Sequence, residues 1–281
     1  MQEQTAWGRR LASATTEQAV VYRDVLVPAV FGPCATQLVS TAVQGDELRV
    51  LDAGSGTGAV ARAAAMRLRP GAHVTAVDLN GAFLGAARGL QARAGASNAE
   101  VTYQQGDVLE LPFADGTFDL LLTQHVLQYL PELPRAVEEL ARVTNADGRL
   151  WAVVWQGLAA NPMFRALTEL VRRQWNEELA ERFSAPWSLA PERLRQVMEG
   201  AGLVDVESVG LDVMAHFRSV EEVLWVVAFS PVGAALRQLE PSEAAAFTAR
   251  MRQAVTPWHE GTGVRAPMAA GCVGGRRAPA L

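Results

Sequence analysis

The 281 residues are 49 % hydrophobic and 20 % charged, an ordinary globular composition with room for one large α/β domain, or one domain with a cap. A net charge of −5 excludes a broadly basic face for nucleic acid. All 25 basic residues are arginine, which excludes Schiff-base lysine chemistry, a pyridoxal-binding lysine and the phosphate-gripping lysine of a P-loop.

Residues 1–46 read as helical, with apolar residues at helical spacing from Val20 to Val43 and interruptions expected at Pro28 and Pro33. The opening Met1-Gln2-Glu3-Gln4 has no basic stretch followed by an apolar run, and no segment reaches about 18 uninterrupted apolar residues. A cytoplasmic protein is therefore expected. Leu48–Leu51 is a short strand ending at Asp52, followed by Ala53-Gly54-Ser55-Gly56-Thr57-Gly58 and a helix from Ala59 to Leu68, stopped by Pro70-Gly71. The alternation then repeats. Ala72–Val77 is a strand, Ala82–Ala94 a helix closing at Gly95, and Val101–Gln104 and Phe118–Thr123 are strands. Leu133–Val143 is a helix, and Arg149–Trp155 a fifth strand after the turn Asn145-Ala146-Asp147-Gly148. Apolar strands alternating with helices imply an α/β fold, a doubly wound Rossmann-like and mainly parallel sheet covered on both faces.

After residue 156 the rhythm loosens. The pattern predicts helices over Pro162–Leu179, Pro191–Glu199, Val220–Phe229 and Ser242–Val255, and a strand over Val204–Val209. The Gly- and Ala-rich end from about Gly261 reads as part final strand, part frayed tail. No linker divides the chain. One domain is expected: a helical lid (1–46), a ligand-binding core (47–156), and cap helices with closing strands (157–281).

Ligands of open α/β sheets bind beyond the carboxyl ends of the strands. Three signals fall there: the glycine loop after Asp52, Val77-Asp78-Leu79-Asn80 ending the second strand, and Gly106-Asp107-Val108 after the third. Gly54, Gly56 and Ala59 also satisfy the dinucleotide pattern G-x-G-x-x-G/A, with Asp78 placed for the ribose of a nicotinamide cofactor. Two residues favour a methyl donor instead. Asp52 puts a negative charge where a pyrophosphate would lie and suits an ammonium group. Asp107 supplies a contact for an adenine amino group.

The segments Leu51-Asp52-Ala53-Gly54-Ser55-Gly56-Thr57-Gly58, Gly106 to Asp119 and Glu138 to Leu150 resemble class I S-adenosylmethionine-dependent methyltransferases, of the group similar to the ubiquinone- and menaquinone-biosynthesis enzymes. The likeness covers roughly residues 45–156. Asn145-Ala146-Asp147-Gly148 departs from the commoner lysine-proline-glycine-glycine, a difference expected to affect the turn and not the chemistry. The resemblance implies S-adenosylmethionine as cofactor. Asp52, Gly54, Ser55 and Gly56 would hold its methionine end, Asp78 and Leu79 the ribose and adenine face, Asp107 and Val108 the adenine, and Gln124 would lie near the sulfonium. It further implies methyl transfer to O, N or C of a small apolar metabolite, quinone-like or from secondary metabolism. The alternatives are a methyltransferase fold catalysing another reaction, such as a cyclisation, and a nicotinamide-dependent oxidoreductase.

His125, next to Gln124 at the end of the fourth strand, is the candidate general base, weighed against a histidine satisfied structurally. His73, His216 and His259 read as structural. Trp7, Tyr22, Phe31, Trp175, Phe183, Trp187, Trp225, Phe229 and Trp258 lie outside the core strands, as either an apolar acceptor pocket or packing between cap helices would place them. Trp7 and Tyr22 are candidates for an N-terminal lid. Cys34 and Cys272 read as free buried thiols, the acidic pairs at 138–139, 177–178 and 221–222 as solvated helix faces, and no residue cluster has metal-ligand spacing. The expected partners are a small-molecule substrate and, at most, a second copy in a homodimer, with neither nucleic acid nor membrane.

Overall fold

The computed structural model describes residues 5–279 apart from 94 and 96, so the expected helix end at Ala94 lies outside the described residues. Its strands are β1 (Arg49–Ala53), β2 (His73–Asp78), β3 (Glu100–Gln105), β4 (Phe118–Gln124), β5 (Thr144–Trp155), β6 (Leu203–Phe217), β7 (His259–Glu260) and β8 (Gly263–Arg277). They form one sheet in the order β3-β2-β1-β4-β5-β8-β6, with the short β7 paired to β8. β1 lies at the centre of the parallel part, where Leu51 is opposite both Thr75 and Leu121. β8 alone runs against the sheet, pairing antiparallel with β5 and β6.

Alternation along the strands divides the interior in two. Val50, Leu120, Leu122, Val153 and Trp155 face one core, while Leu51, Leu121, Leu150, Ala152 and Val154 face the other. Because side chains on a strand alternate faces, strands buried on both sides read as continuous apolar runs. The helices are α1 (Ala6–Ala12), α2 (Thr16–Val21), α3 (Gly32–Ala42), α4 (Ala59–Arg67), α5 (Gly81–Gln91), α6 (Leu133–Val143), α7 (Pro162–Gln174), α8 (Glu177–Ser184), α9 (Pro191–Gly200), α10 (Val220–Phe229), α11 (Val232–Leu236) and α12 (Pro241–Ala254). α6 and α9 supply the core on one face, through Val137, Leu140, Leu194 and Met198 among others. The other face receives α3, α4, α7 and α10.

Several expectations change. Pro28 does not interrupt the N-terminal helix: Tyr22–Phe31 is π-helical and joins α2 to α3 into one run, Thr16–Ala42. That run is long and apolar enough to cross a membrane by length and composition, but its buried residues Leu26, Ala29, Val30, Leu38 and Val39 belong to the protein core. The wider turn brings the Val27 carbonyl to 2.9 Å from where a Cβ at position 32 would stand, so glycine fits there. The helix expected over Pro162–Leu179 is two, since the Asn176 side chain accepts the Leu179 N–H (2.8 Å) and starts α8. α9, grouped with the cap from sequence, packs against the sheet.

The largest correction is at the C-terminus. The end expected to be part strand and part frayed tail is the strand β8, buried throughout from Ala270 to Gly275. Its glycines are steric requirements: a Cβ at Gly271 would stand 2.3 Å from the Pro191 ring, at Gly274 2.1 Å from the Trp151 indole, and at Gly275 2.9 Å from Val206. β6 likewise continues past Val209 to Phe217, with a register shift between Val204 and Glu207 where Asp205 takes φ +52°. Cys34 and Cys272 are buried free thiols, each pushed up to about 12 by burial.

Candidate active site

The carboxyl ends of β1, β2 and β4 converge on the glycine loop. Gly54 and Ser55 donate their N–H groups to the Val77 carbonyl (2.8 Å each), fastening the loop to the end of β2. Gly54 takes φ +72°, and a Cβ there would come within 2.3 Å of Val126. Gly56 takes φ +53° with open space at its Cα, leaving the backbone bare for a ligand.

Asp52 is not beyond its strand but within it. Its buried carboxylate accepts the Ala61 N–H (2.9 Å) in the first turn of α4. Burial, the larger cause, and the nearby Asp78 charge push its pKa up to about 7, against the opposing Ala61 hydrogen bond. Asp78 accepts the Gly56 N–H on one oxygen (2.7 Å) and the Asn80 N–H on the other (2.8 Å). Each oxygen keeps acceptor capacity for a hydroxyl. Burial raises the Asp78 pKa, and these two hydrogen bonds pull it down. Asp107 caps its own turn by accepting the Leu109 N–H (2.9 Å).

Three adjoining cavities surround this frame. The first, about 130 Å³, is lined by Gly54, Gly56, Asp78, Leu79, Asp107, Val108, Gln124 and His125, together with Gly8, Leu11 and Ala12 of α1. The second, about 40 Å³, takes in Asp52, Ser55 and Thr57, and shares Tyr22, Gly54, Gly56 and Gln124 with the first. The third, about 50 Å³, is aromatic and apolar: Trp7, Phe31, Trp155, Phe164, Trp187 and Phe229 are among its walls. Leu11, Tyr22 and Tyr129 border both the first and the third. Every expected site residue thus falls on the first two cavities.

His125 follows β4 with φ +55°, rare for a residue with a Cβ. Its ring stacks on Trp155 (centroids 3.8 Å apart), its Nδ1 lies 3.4 Å from Gln128 Oε1, and its Nε2 is buried with no partner among the described residues. Burial drives its pKa down to about 3, against the smaller effect of Gln128. The ring is neutral, and a pKa so far below neutrality makes it a weak proton acceptor. Gln124 donates to the Phe31 carbonyl (3.0 Å), which ties β4 to the π-helical stretch. Its Oε1, with Ser55 Oγ and Thr57 Oγ1, is also buried without a partner among the described residues.

Sequence reasoning missed Tyr129, Phe83 and the bonds from the Asn80 side chain to the Leu11 and Ala14 carbonyls. Tyr129 lies in the short turn Leu127–Tyr129 after β4, and its position just past a strand end was the available signal. Phe83 packs against Tyr22 (5.0 Å between centroids), a contact only the tertiary fold creates. Among the expected lid aromatics, Trp7 donates to the Phe183 carbonyl (2.9 Å), and Tyr22 stacks on Phe31 at 5.4 Å.

A doubly wound sheet with one antiparallel strand inserted beside its edge, and with a glycine loop and carboxylates at successive strand ends, is the class I methyltransferase fold. Residues 51–152 match the family described as "Methyltransferase domain". An uncharacterized protein of Mycobacterium bovis is 37 % identical over 161 residues, 54 % of this chain and 54 % of the relative. The demethylmenaquinone methyltransferase of Thermobifida fusca is 39 % identical over 118 residues, 42 % of this chain and 48 % of the relative. The chain spans about half the length of the curated relatives it matches. Phosphoethanolamine N-methyltransferase 2 of Haemonchus contortus, in complex with S-adenosyl-L-methionine, shares the fold with a TM-score of 0.59 at 15 % identity, over 94 % of this chain and 57 % of that one.

Proposed function

We propose that the protein transfers a methyl group from S-adenosylmethionine to a small, apolar acceptor. One observation separates this reading from a nicotinamide enzyme. A pyrophosphate is bound by free N–H groups at a helix N-terminus, whereas here the Asp52 carboxylate already occupies the first turn of α4 through Ala61. The same carboxylate suits an ammonium group in the second cavity, where Ser55 Oγ, Thr57 Oγ1 and Gln124 Oε1 await partners. Asp78 has acceptor capacity for the ribose hydroxyls, and Asp107 and Val108 line the far side for adenine.

When bound, the donor supplies an activated sulfonium methyl, which a nucleophile attacks in line as the sulfur leaves as a neutral thioether. The protein's part is alignment, with reacting atoms brought to about 3–3.5 Å. Tyr22, bordering all three cavities, stands at the passage between donor and acceptor. Burial holds the Tyr22 phenol well above its ordinary value and pushes Tyr129 up to about 12, so both remain donors and not bases. With His125 neutral and weakly basic, we assign it a positioning role: it stacks on Trp155 and offers one ring nitrogen to the cavity wall. An acceptor that is nucleophilic without a strong enzymatic base fits such a site. The third cavity supports an uncharged acceptor, since none of its lining residues is charged.

Calorimetric titration with S-adenosylmethionine, S-adenosylhomocysteine and NADH tests the cofactor. Micromolar binding of both adenosyl ligands and none of NADH supports the reading; binding of NADH alone overturns it. Product mass then separates methyl transfer, which adds one methyl, from a cyclisation, which adds nothing.

A further inference from the structure

Asn80 uses more of its side chain than its place in the sequence requires. It caps α5 through Oδ1, which accepts the Ala82 N–H (2.8 Å). Serine, threonine or aspartate would do this equally well. What asparagine adds is the amide donor, and Nδ2 gives it to the carbonyls of Leu11 (2.7 Å) and Ala14 (3.0 Å) at the end of α1. Carbonyls at a helix end have no partner within the helix, so a buried donor from the sheet side secures the segment there. The backbone N–H of the same residue is held by Asp78 Oδ1 (2.8 Å). One residue therefore touches both the carboxylate at the end of β2 and the N-terminal segment.

That segment covers two cavities at once. Gly8, Leu11 and Ala12 line the first and Trp7 and Leu11 the third. α1 has seven residues, too few to persist alone, since isolated helices shorter than about 12–15 residues are marginal in water. It is held by tertiary contacts. Thr5 Oγ1 donates to the Tyr129 carbonyl (3.0 Å), Trp7 Nε1 to Phe183 (2.9 Å) and Arg10 Nε to Phe229 (2.9 Å). Those contacts run from the segment outward, whereas Asn80 reaches it from the donor site.

We propose that Asn80 is a positioning residue that latches the segment 5–14 as a lid over both cavities and couples its closure to occupancy at Asp78. The coupling rests on the reading of Asp78 as the ribose-binding carboxylate. A donor lying against Gly8, Leu11 and Ala12 makes those contacts only with the lid closed, so its binding shifts the population toward closure. Asn80 holds the lid end and the ribose carboxylate in one frame, so that both are presented together.

The lid carries its own reporter, because trypsin cleaves after Arg9 and Arg10. Cleavage that follows transient opening tracks the open population. Full-length wild type, Asn80→Asp and Asn80→Ser would be digested with and without saturating S-adenosylhomocysteine, and the new N-termini at Arg10 and Leu11 quantified by mass spectrometry. Both variants keep the helix cap and lose the donor. Loss of a hydrogen bond of ordinary worth predicts nicking about two- to thirteenfold faster. S-adenosylhomocysteine should slow nicking strongly in wild type and by a smaller factor in both variants. A residue that merely stabilised the fold would lower the unfolding temperature and leave that protection factor unchanged. Unchanged nicking in two folded variants overturns the latch, and an unchanged protection factor overturns the coupling. Calorimetry on wild type keeps the premises apart: if S-adenosylhomocysteine does not bind, the cofactor reading falls and the coupling with it, while faster nicking of the variants would still establish the latch.

Discussion

The two walls proposed here for donor and acceptor are built on different principles. The donor wall is backbone and carboxylate: Gly54 and Gly56 at positive φ, Asp78 between two N–H groups, Asp107 on its own turn. Its parts come from short segments at the ends of neighbouring strands. The acceptor wall is side-chain surface, assembled from Trp7, Phe31, Trp155, Phe164, Trp187, Val226, Phe229 and Met268 on elements scattered along the chain. A wall made of backbone geometry constrains residue type position by position. A wall made of apolar volume only requires that some set of large side chains fill it.

The sharpest way to break this division is Asp78→Ala. It should weaken S-adenosylhomocysteine binding by about 1.5–3 kcal/mol, the worth of hydrogen bonds to a charged group, as read by calorimetry. If the two walls are independent, quenching of tryptophan emission by 1-naphthol, a neutral aromatic probe, should be unchanged. The converse is Val226→Phe, which fills the third cavity from the buried face of α10. We expect about a tenfold loss of 1-naphthol affinity, about 1.4 kcal/mol, with the S-adenosylhomocysteine affinity of wild type. Equal losses of both ligands in either variant would mean the cavities behave as one site.

The same division explains what could be read from the sequence. Leu51 to Gly58, Asp78 and Asp107 announce themselves because a strand end, a turn and a carboxylate fall at fixed offsets. The structure places Asp52, Gly54 to Thr57, Asp78 and Asp107 on two adjoining cavities. The acceptor wall gave no such signal: Phe164 and Met268 resemble any buried residue until α7 and β8 are brought together. β8 itself was obscured by its glycines, which read locally as a loose tail, although Gly274 is small because the Trp151 ring lies over it. Pro28 misled in the opposite direction. A proline inside a helix removes a hydrogen bond and normally breaks it, but the π-helical stretch carries it without ending the run. Asn80 was visible as the end of a strand motif, but its bonds to Leu11 and Ala14 cross from one end of the lid to the donor site and have no local signature.

The smallest net effect is a pH dependence in which two buried groups at the donor site oppose one another. His125 has its pKa lowered from 6.5 to about 3 in the folded chain. Between those values the unfolded chain binds the proton and the folded chain does not, so stability falls as pH drops through that window, by roughly 1.4 kcal/mol per unit. Asp52 has the reverse sign. Its pKa is raised from 3.8 to about 7, so the folded chain holds the proton more tightly and stability rises as pH drops from about 7 toward 3.8. Asp78, also raised, adds in the direction of Asp52. The wild type should therefore show a shallow profile across the overlap. His125→Asn keeps a residue tolerant of the left-handed backbone and removes one arm, so urea unfolding should show its stability rising relative to wild type as pH is lowered from 6.5. Asp52→Asn removes the other arm, and relative to wild type its stability should fall over the same range. Parallel profiles for wild type and His125→Asn would mean the ring is solvated enough to titrate normally, and would return it to consideration as a base.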